Sequence, residues 1–179
     1  MIFKVLWKIS IQFRNRYVEW IAVKLLFPVA GVIQKKSPGQ ITVDGLLQLP
    51  EHTFGHKLGE HMRNYKLDFI PGFEEHDMKH LLLGYAVSVP GEIRLSAFEF
   101  GTGNRSFMTL SVFLLGIPIA MDLWPQMIED FREGKKNKSF RKLQLKKLIL
   151  SDFENLYRIT PKNPLIQDER NLELNSVAI

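Results

Sequence analysis

The chain has 179 residues, a formal net charge of +5, 45% apolar residues and no cysteine. Without cysteine there is no disulfide framework, zinc ribbon or thiol nucleophile, so any metal site must draw on His, Asp and Glu. The length suits one domain with a real core. Positive charge gathers in residues 1–36 and in "REGKKNKSFRKLQLKK", 132–147. That distribution suits an anionic membrane surface or a solvated helix face, and with no nucleic-acid motif beside it no nucleic-acid partner is expected.

Residues 2–27 read as an amphipathic helix, with Lys4, Lys8, Gln12, Arg16 and Glu19 at helical spacing among Phe3, Trp7, Phe13 and Trp20. Such a helix can lie on a membrane or dock on the protein's own core. It carries no secretory pattern. "KKSPG" is a loop, and "TVDGLLQLP" gives one or two helical turns. After the loop "LDFIPG", Gly72 opens a helix whose first turn holds Glu74, Glu75 and Asp77, suited to the positive end of the macrodipole. Gly84 is a C-terminal stop. Ser88 caps the next helix, expected over about 89–101 and ending at "GTGN", with Pro90 tolerated in its first turn.

Residues 105–133 give one apolar helix kinked near Pro118, or two helices. "SFMTLSVFLLGIPIAM" falls short of the roughly 18–20 uninterrupted apolar residues of a membrane span and reads as a buried core helix. "NKSFRKLQLKKLIL" is amphipathic, and Ser151 with Glu154 fits a capping box. After Pro161 the segment is polar. The expected architecture is all-α, a single-domain orthogonal bundle of about seven or eight helices. An amphipathic segment at 1–36 precedes a helical core at 37–160, and a loosely ordered tail follows at 161–179.

"EEHDMKH", 74–80, carries the chemistry. His76 and His80 are four residues apart and project from one helix face, the spacing by which a helix offers two imidazoles to one ion. Asp77 lies about 100° around the helix. It can reach the ion from the flank or hold a histidine tautomer as a supporting carboxylate. If the helix stops at Gly84 and the next begins at Ser88, the two form a hairpin that brings Glu92 beside His80 as a further ligand. A two-His, carboxylate set suits zinc, iron, manganese or cobalt.

His76-Asp77-x-x-His80, eleven residues, then Glu92 resembles the motif of the coenzyme Q (ubiquinone) biosynthesis family usually known as the fourth COQ protein. "LPEHTFGHKLGEHM" is similar to that family's L-P-x-G-T-x-G-x-x-Y segment through Leu49, Pro50, Thr53 and Gly55, with His52 and Leu58 departing from it. The resemblance covers about residues 40–135 and includes Glu99, seven residues beyond Glu92.

The resemblance implies an all-α, metal-binding, membrane-associated protein acting on a polyprenylated aromatic lipid. The implied reaction is oxidative decarboxylation, with His76, Asp77, His80 and Glu92 as metal and catalytic residues and zinc as the first choice of metal. Glu99 and Arg94 are candidates to meet a substrate head group, and Phe98 and Phe100 to line a groove for its prenyl tail. The implied setting is a homo-oligomer, peripheral on a bacterial inner membrane at its cytoplasmic side, or on the mitochondrial inner membrane in a eukaryote. Other quinone-biosynthesis proteins are the implied partners. Two other readings stay open. One is a non-catalytic prenyl-lipid scaffold. The other is an HD-type phosphohydrolase using His56 or His61, His76-Asp77 and Asp122.

Overall fold

A computed structural model describes residues 41–70 and 73–160, together with Ile11 and Arg16. The rest of the helix expected at 2–27, the "KKSPG" loop, the start at Gly72 and the tail at 161–179 lie outside the described residues. Eight α-helices and two short 3-10 turns make up the regular structure among the described residues, with no strand, so the single domain is all-α as expected.

In chain order the helices are α1 (Val43–Leu47), α2 (Phe54–Asn64), α3 (Glu74–Leu83), α4 (Val89–Thr102) and α5 (Phe107–Ile119). A 3-10 turn at Met121–Leu123 leads into α6 (Trp124–Lys136), and another at Lys138–Lys142 precedes α7 (Leu145–Leu148) and α8 (Phe153–Ile159). Phe54, Leu58 and Met62 recur every four residues along α2 and form one buried stripe, packed with Met78, Leu81 and Leu82 of α3. Val89, Ile93 and Ala97 make a similar stripe on α4 and meet Ala120 and Met127. The central helix is α4, held between α5 and α6 and buried on nearly every side.

Helix ends follow the local chemistry. Thr53, Ser88 and Ser106 cap α2, α4 and α5 through their hydroxyls, each accepting a backbone N–H of the first turn. Asp152, rather than Ser151, caps α8, accepting from the Asn155 amide at 2.9 Å. Ser151 is engaged elsewhere, its carbonyl accepting from the Phe54 amide at 2.8 Å. The basic stretch after α6 is broken into the 3-10 turn and the single turn of α7 instead of one amphipathic helix.

The segment expected to be a buried core helix is not one. In α5 only Thr109 and Gly116 are buried, and Phe107, Leu114, Leu115 and Ile117 are exposed. The physical reason lies at Pro118, in the last turn of α5. Proline has no amide hydrogen to donate, so the last turn of α5 lacks one rung before the Ala120 amide closes it on the Gly116 carbonyl at 2.9 Å. The chain then turns by 102° into α6. The Ile117 carbonyl is taken by Trp124 Nε1 at 2.7 Å, which pins the bend. One side of α5 rests on α4 and the other faces outward, and the outward side continues past the bend through Met121, Trp124 and Ile128.

Arg94 also departs from expectation. It is fully buried on α4, and its Nε donates to Asp130 Oδ2 of α6 at 2.8 Å. Its second contact runs from Nη2 to Asp130 Oδ1 at 3.3 Å, and Tyr85 Oη donates to the same oxygen at 2.9 Å. The residue expected to meet a substrate head group is thus committed inside the protein, where it ties α4 to α6. Removing one partner of a buried pair leaves the other charge poorly compensated. Asp130→Ala should therefore lower unfolding stability by about 3–5 kcal/mol in urea titrations followed by circular dichroism.

Candidate metal centre

His76 and His80 stand one turn apart on α3, and Glu92 occupies the first turn of α4. The chain between them is built for a tight reversal. Gly84 ends α3 with a left-handed backbone, φ 80°, which a residue with a Cβ adopts at a cost. Ser88 then caps α4, with Pro90 just inside. Gly91 is packed so closely that a Cβ there would lie 1.9 Å from the Ala86 carbonyl oxygen. The break at Gly84 and the small residue at Gly91 together let Glu92 reach α3.

Three donors converge. His76 Nε2 lies 3.0 Å from Glu92 Oε2, His80 Nε2 lies 3.0 Å from Glu92 Oε1, and the two Nε2 atoms are 3.1 Å apart. Metal–donor bonds of about 2.1 Å at tetrahedral or octahedral angles place neighbouring donors about 3.0–3.4 Å apart. The set therefore fits a divalent ion. Two imidazole nitrogens aimed at one point are a poor hydrogen-bonding arrangement but a good coordinating one. His80 is buried, whereas Glu92 keeps 36% of its side-chain surface accessible, so the cluster opens on the glutamate side.

Each imidazole is oriented from behind. His80 Nδ1 lies 3.2 Å from the Tyr85 carbonyl. A carbonyl only accepts, so Nδ1 carries a hydrogen and Nε2 is the nitrogen left to coordinate an ion. His76 Nδ1 faces Glu99 Oε2 at 3.9 Å.

The field is set by carboxylates. Burial works against a charged His76, but Glu92 and Glu99 outweigh it and hold the imidazole well above its ordinary range. Burial also raises Glu92 and Glu99, and nearby positive groups reverse the effect: His80 and His76 for Glu92, His76 and Lys79 for Glu99. Both acids end well below the usual carboxylate range. The field that keeps a proton on His76 would equally attract a metal cation.

Asp77 sits beside this cluster without joining it, and burial pushes its carboxyl up to about 6 against the pull of His76 and His80. Phe98 is core, packed on Tyr85 and Phe140. Phe100 is stacked on Phe113 of α5, with the Arg105 guanidinium 3.8 Å from its ring centre. Glu99 is 5% exposed and bonded to Lys79 and Thr109. Among the described residues, His56, His61 and Asp122 do not join His76 in a metal-holding group, as an HD-type site would require. His56 Nδ1 is instead 2.8 Å from the Leu49 carbonyl, and its Nε2 lies 3.5 Å from Glu60.

Sequence reading missed Lys79, Thr109 and the Tyr85 carbonyl as supports. Lys79 was findable, since it stands three residues from His76 on one helix face. Thr109 comes from another helix and has no local signal.

The geometry predicts that His80→Ala and Glu92→Ala abolish stoichiometric metal in the purified chain, measured by elemental analysis. Asp77→Asn should retain the metal.

No family model matches the chain. It is 32% identical to the ubiquinone biosynthesis protein COQ4 homolog 2, mitochondrial, of Paramecium tetraurelia, over 44% of this chain and 46% of that protein. The chain therefore spans about half the length of the curated relative it matches. The solved structure of a candidate ubiquinone biosynthesis protein from Nostoc punctiforme aligns over 89% of this chain and 80% of its own, with 21% identity and a TM-score of 0.41. His76, Asp77, His80 and Glu92 thus belong to a chain that is similar, over part of its length, to a COQ4 homolog.

Proposed function

We propose that the chain is a metal-dependent protein of ubiquinone biosynthesis that replaces the ring carboxylate of a polyprenylated aromatic acid with a hydroxyl. The observation that carries this reading is the grouping of His76, His80 and Glu92, which each bring a donor atom within 4.8 Å of the other two. A divalent ion held there would supply Lewis acidity toward a carboxylate or phenolate oxygen. In the reaction the bond between ring carbon and carboxylate breaks and carbon dioxide leaves. A carbon–oxygen bond forms at the same carbon. Aromatic acid, dioxygen, two protons and two electrons from an external two-electron donor give phenol, carbon dioxide and water, so one oxygen atom enters the ring and the other leaves as water. Glu92, on the accessible side of the cluster, marks where the ring would approach.

The outward face of α5 and α6 supports a membrane-surface setting for such a substrate. Leu114, Leu115 and Ile117 lie before the bend and Met121, Trp124 and Ile128 after it, all exposed. Exposed Arg132, Lys135 and Lys136 follow on α6 and suit anionic headgroups. Among the described residues no single helix is long and apolar enough to cross a membrane. The Paramecium relative is named as mitochondrial, and we extend that association to this chain.

In cells lacking the endogenous protein, the wild-type chain should restore quinone synthesis and Glu92→Ala should not. A Glu92→Ala chain that folds and still restores synthesis would overturn the catalytic reading in favour of a lipid-holding scaffold. In flotation assays with vesicles containing anionic lipid, the double change Leu114→Ser, Ile128→Ser should reduce the bound fraction several-fold.

A further inference from the structure

We propose that Glu99 is a positioning residue that holds His76 in one tautomer and one orientation, working from a buried polar anchor made by Lys79, Thr109 and Asn104. This role rests on the metal reading above and deepens it.

Glu99 lies seven residues beyond Glu92 on α4, two helical turns along the same face, and so also looks toward α3. Both of its oxygens are engaged. Oε2 accepts from Thr109 Oγ1 at 2.9 Å and faces His76 Nδ1 at 3.9 Å. Oε1 is bonded to the Lys79 ammonium and accepts from Asn104 Nδ2 at 3.4 Å. Glu99 and Lys79 keep only 6% and 8% of their side-chain surface accessible, so neither is free to meet a substrate from outside.

Stability alone is a weak reason for such a pair. A buried ion pair roughly breaks even against apolar residues of the same shape, because desolvating two charges costs as much as their attraction returns. What an apolar pair cannot do is present a carboxylate oxygen to the back of an imidazole. With a carboxylate beside Nδ1, His76 keeps a hydrogen there, and Nε2, facing Glu92 and His80, is the nitrogen that would give up its proton to bind a metal. Lys79 offsets part of the charge on Glu99, so the anchor aims the ring while Glu99 still contributes to the negative field at His76. Thr109 fixes which oxygen looks at His76, and it touches Glu99 from a third helix, α5.

The test uses the full chain loaded with Co2+, whose visible absorption reports ligand geometry, and a chromophoric chelator to measure affinity. Glu99→Gln should weaken Co2+ binding by about 10–100-fold and shift the absorption bands. Thr109→Val, which spares every coordinating side chain, should shift the bands in the same direction by less. If Glu99→Gln fails to fold, Thr109→Val carries the test alone. Variants that lose only thermal stability while keeping wild-type affinity and bands would overturn the positioning role. A wild-type chain that takes up no Co2+ would remove the metal reading, and this role with it.

Discussion

Between the left-handed break at Gly84 and the cap at Ser88 the chain reverses so tightly that the Ala86 carbonyl rests against Gly91. The rest of the molecule depends on this reversal. It brings the first turn of α4 beside α3, so a carboxylate meets two imidazoles from another helix. It also lays α4 down as the central helix on which α5 and α6 pack. A bulkier turn would move Glu92 away from His76 and His80 and tilt the helix that organises the bundle.

The interior is unusual in where it keeps its charges. Arg94 and Asp130 join α4 to α6, and Lys79 and Glu99 join α3 to α4. Neither pair is explained by net stability, since buried charges gain little over apolar packing. Both pairs reach the candidate metal cluster at one remove. Glu99 stands behind His76, and Tyr85, bonded through its hydroxyl to Asp130, offers its carbonyl to His80. The two candidate ligand histidines are thus held from different parts of the bundle, one through α4 and α5 and the other through the turn and α6.

Much of this was legible in the sequence. The i, i+4 histidines, the glycine stop and the serine cap are local signals, and together they place Glu92 against α3. The all-α class followed from apolar spacing along the helices. What was not legible depends on contacts between distant segments. An arginine and a glutamate on an amphipathic pattern look like surface residues, and only Asp130 and Lys79 reveal them as interior. The apolar run at 106–121 carries no signal for which side is covered, because burial of α5 is decided by the bend at Pro118 and by where α6 then goes. The capping box expected at Ser151 falls one residue later, with Asp152 taking the role.

The acceptor behind His80 belongs to the main chain, and that makes the two histidines unequal before genetic variation. A side-chain change can remove Glu99 from behind His76. No substitution at position 85 can remove the carbonyl behind His80; it can only move it. Variation that reads side chains will therefore register support for one candidate ligand and stay largely silent about the other, although the fold supports both from behind.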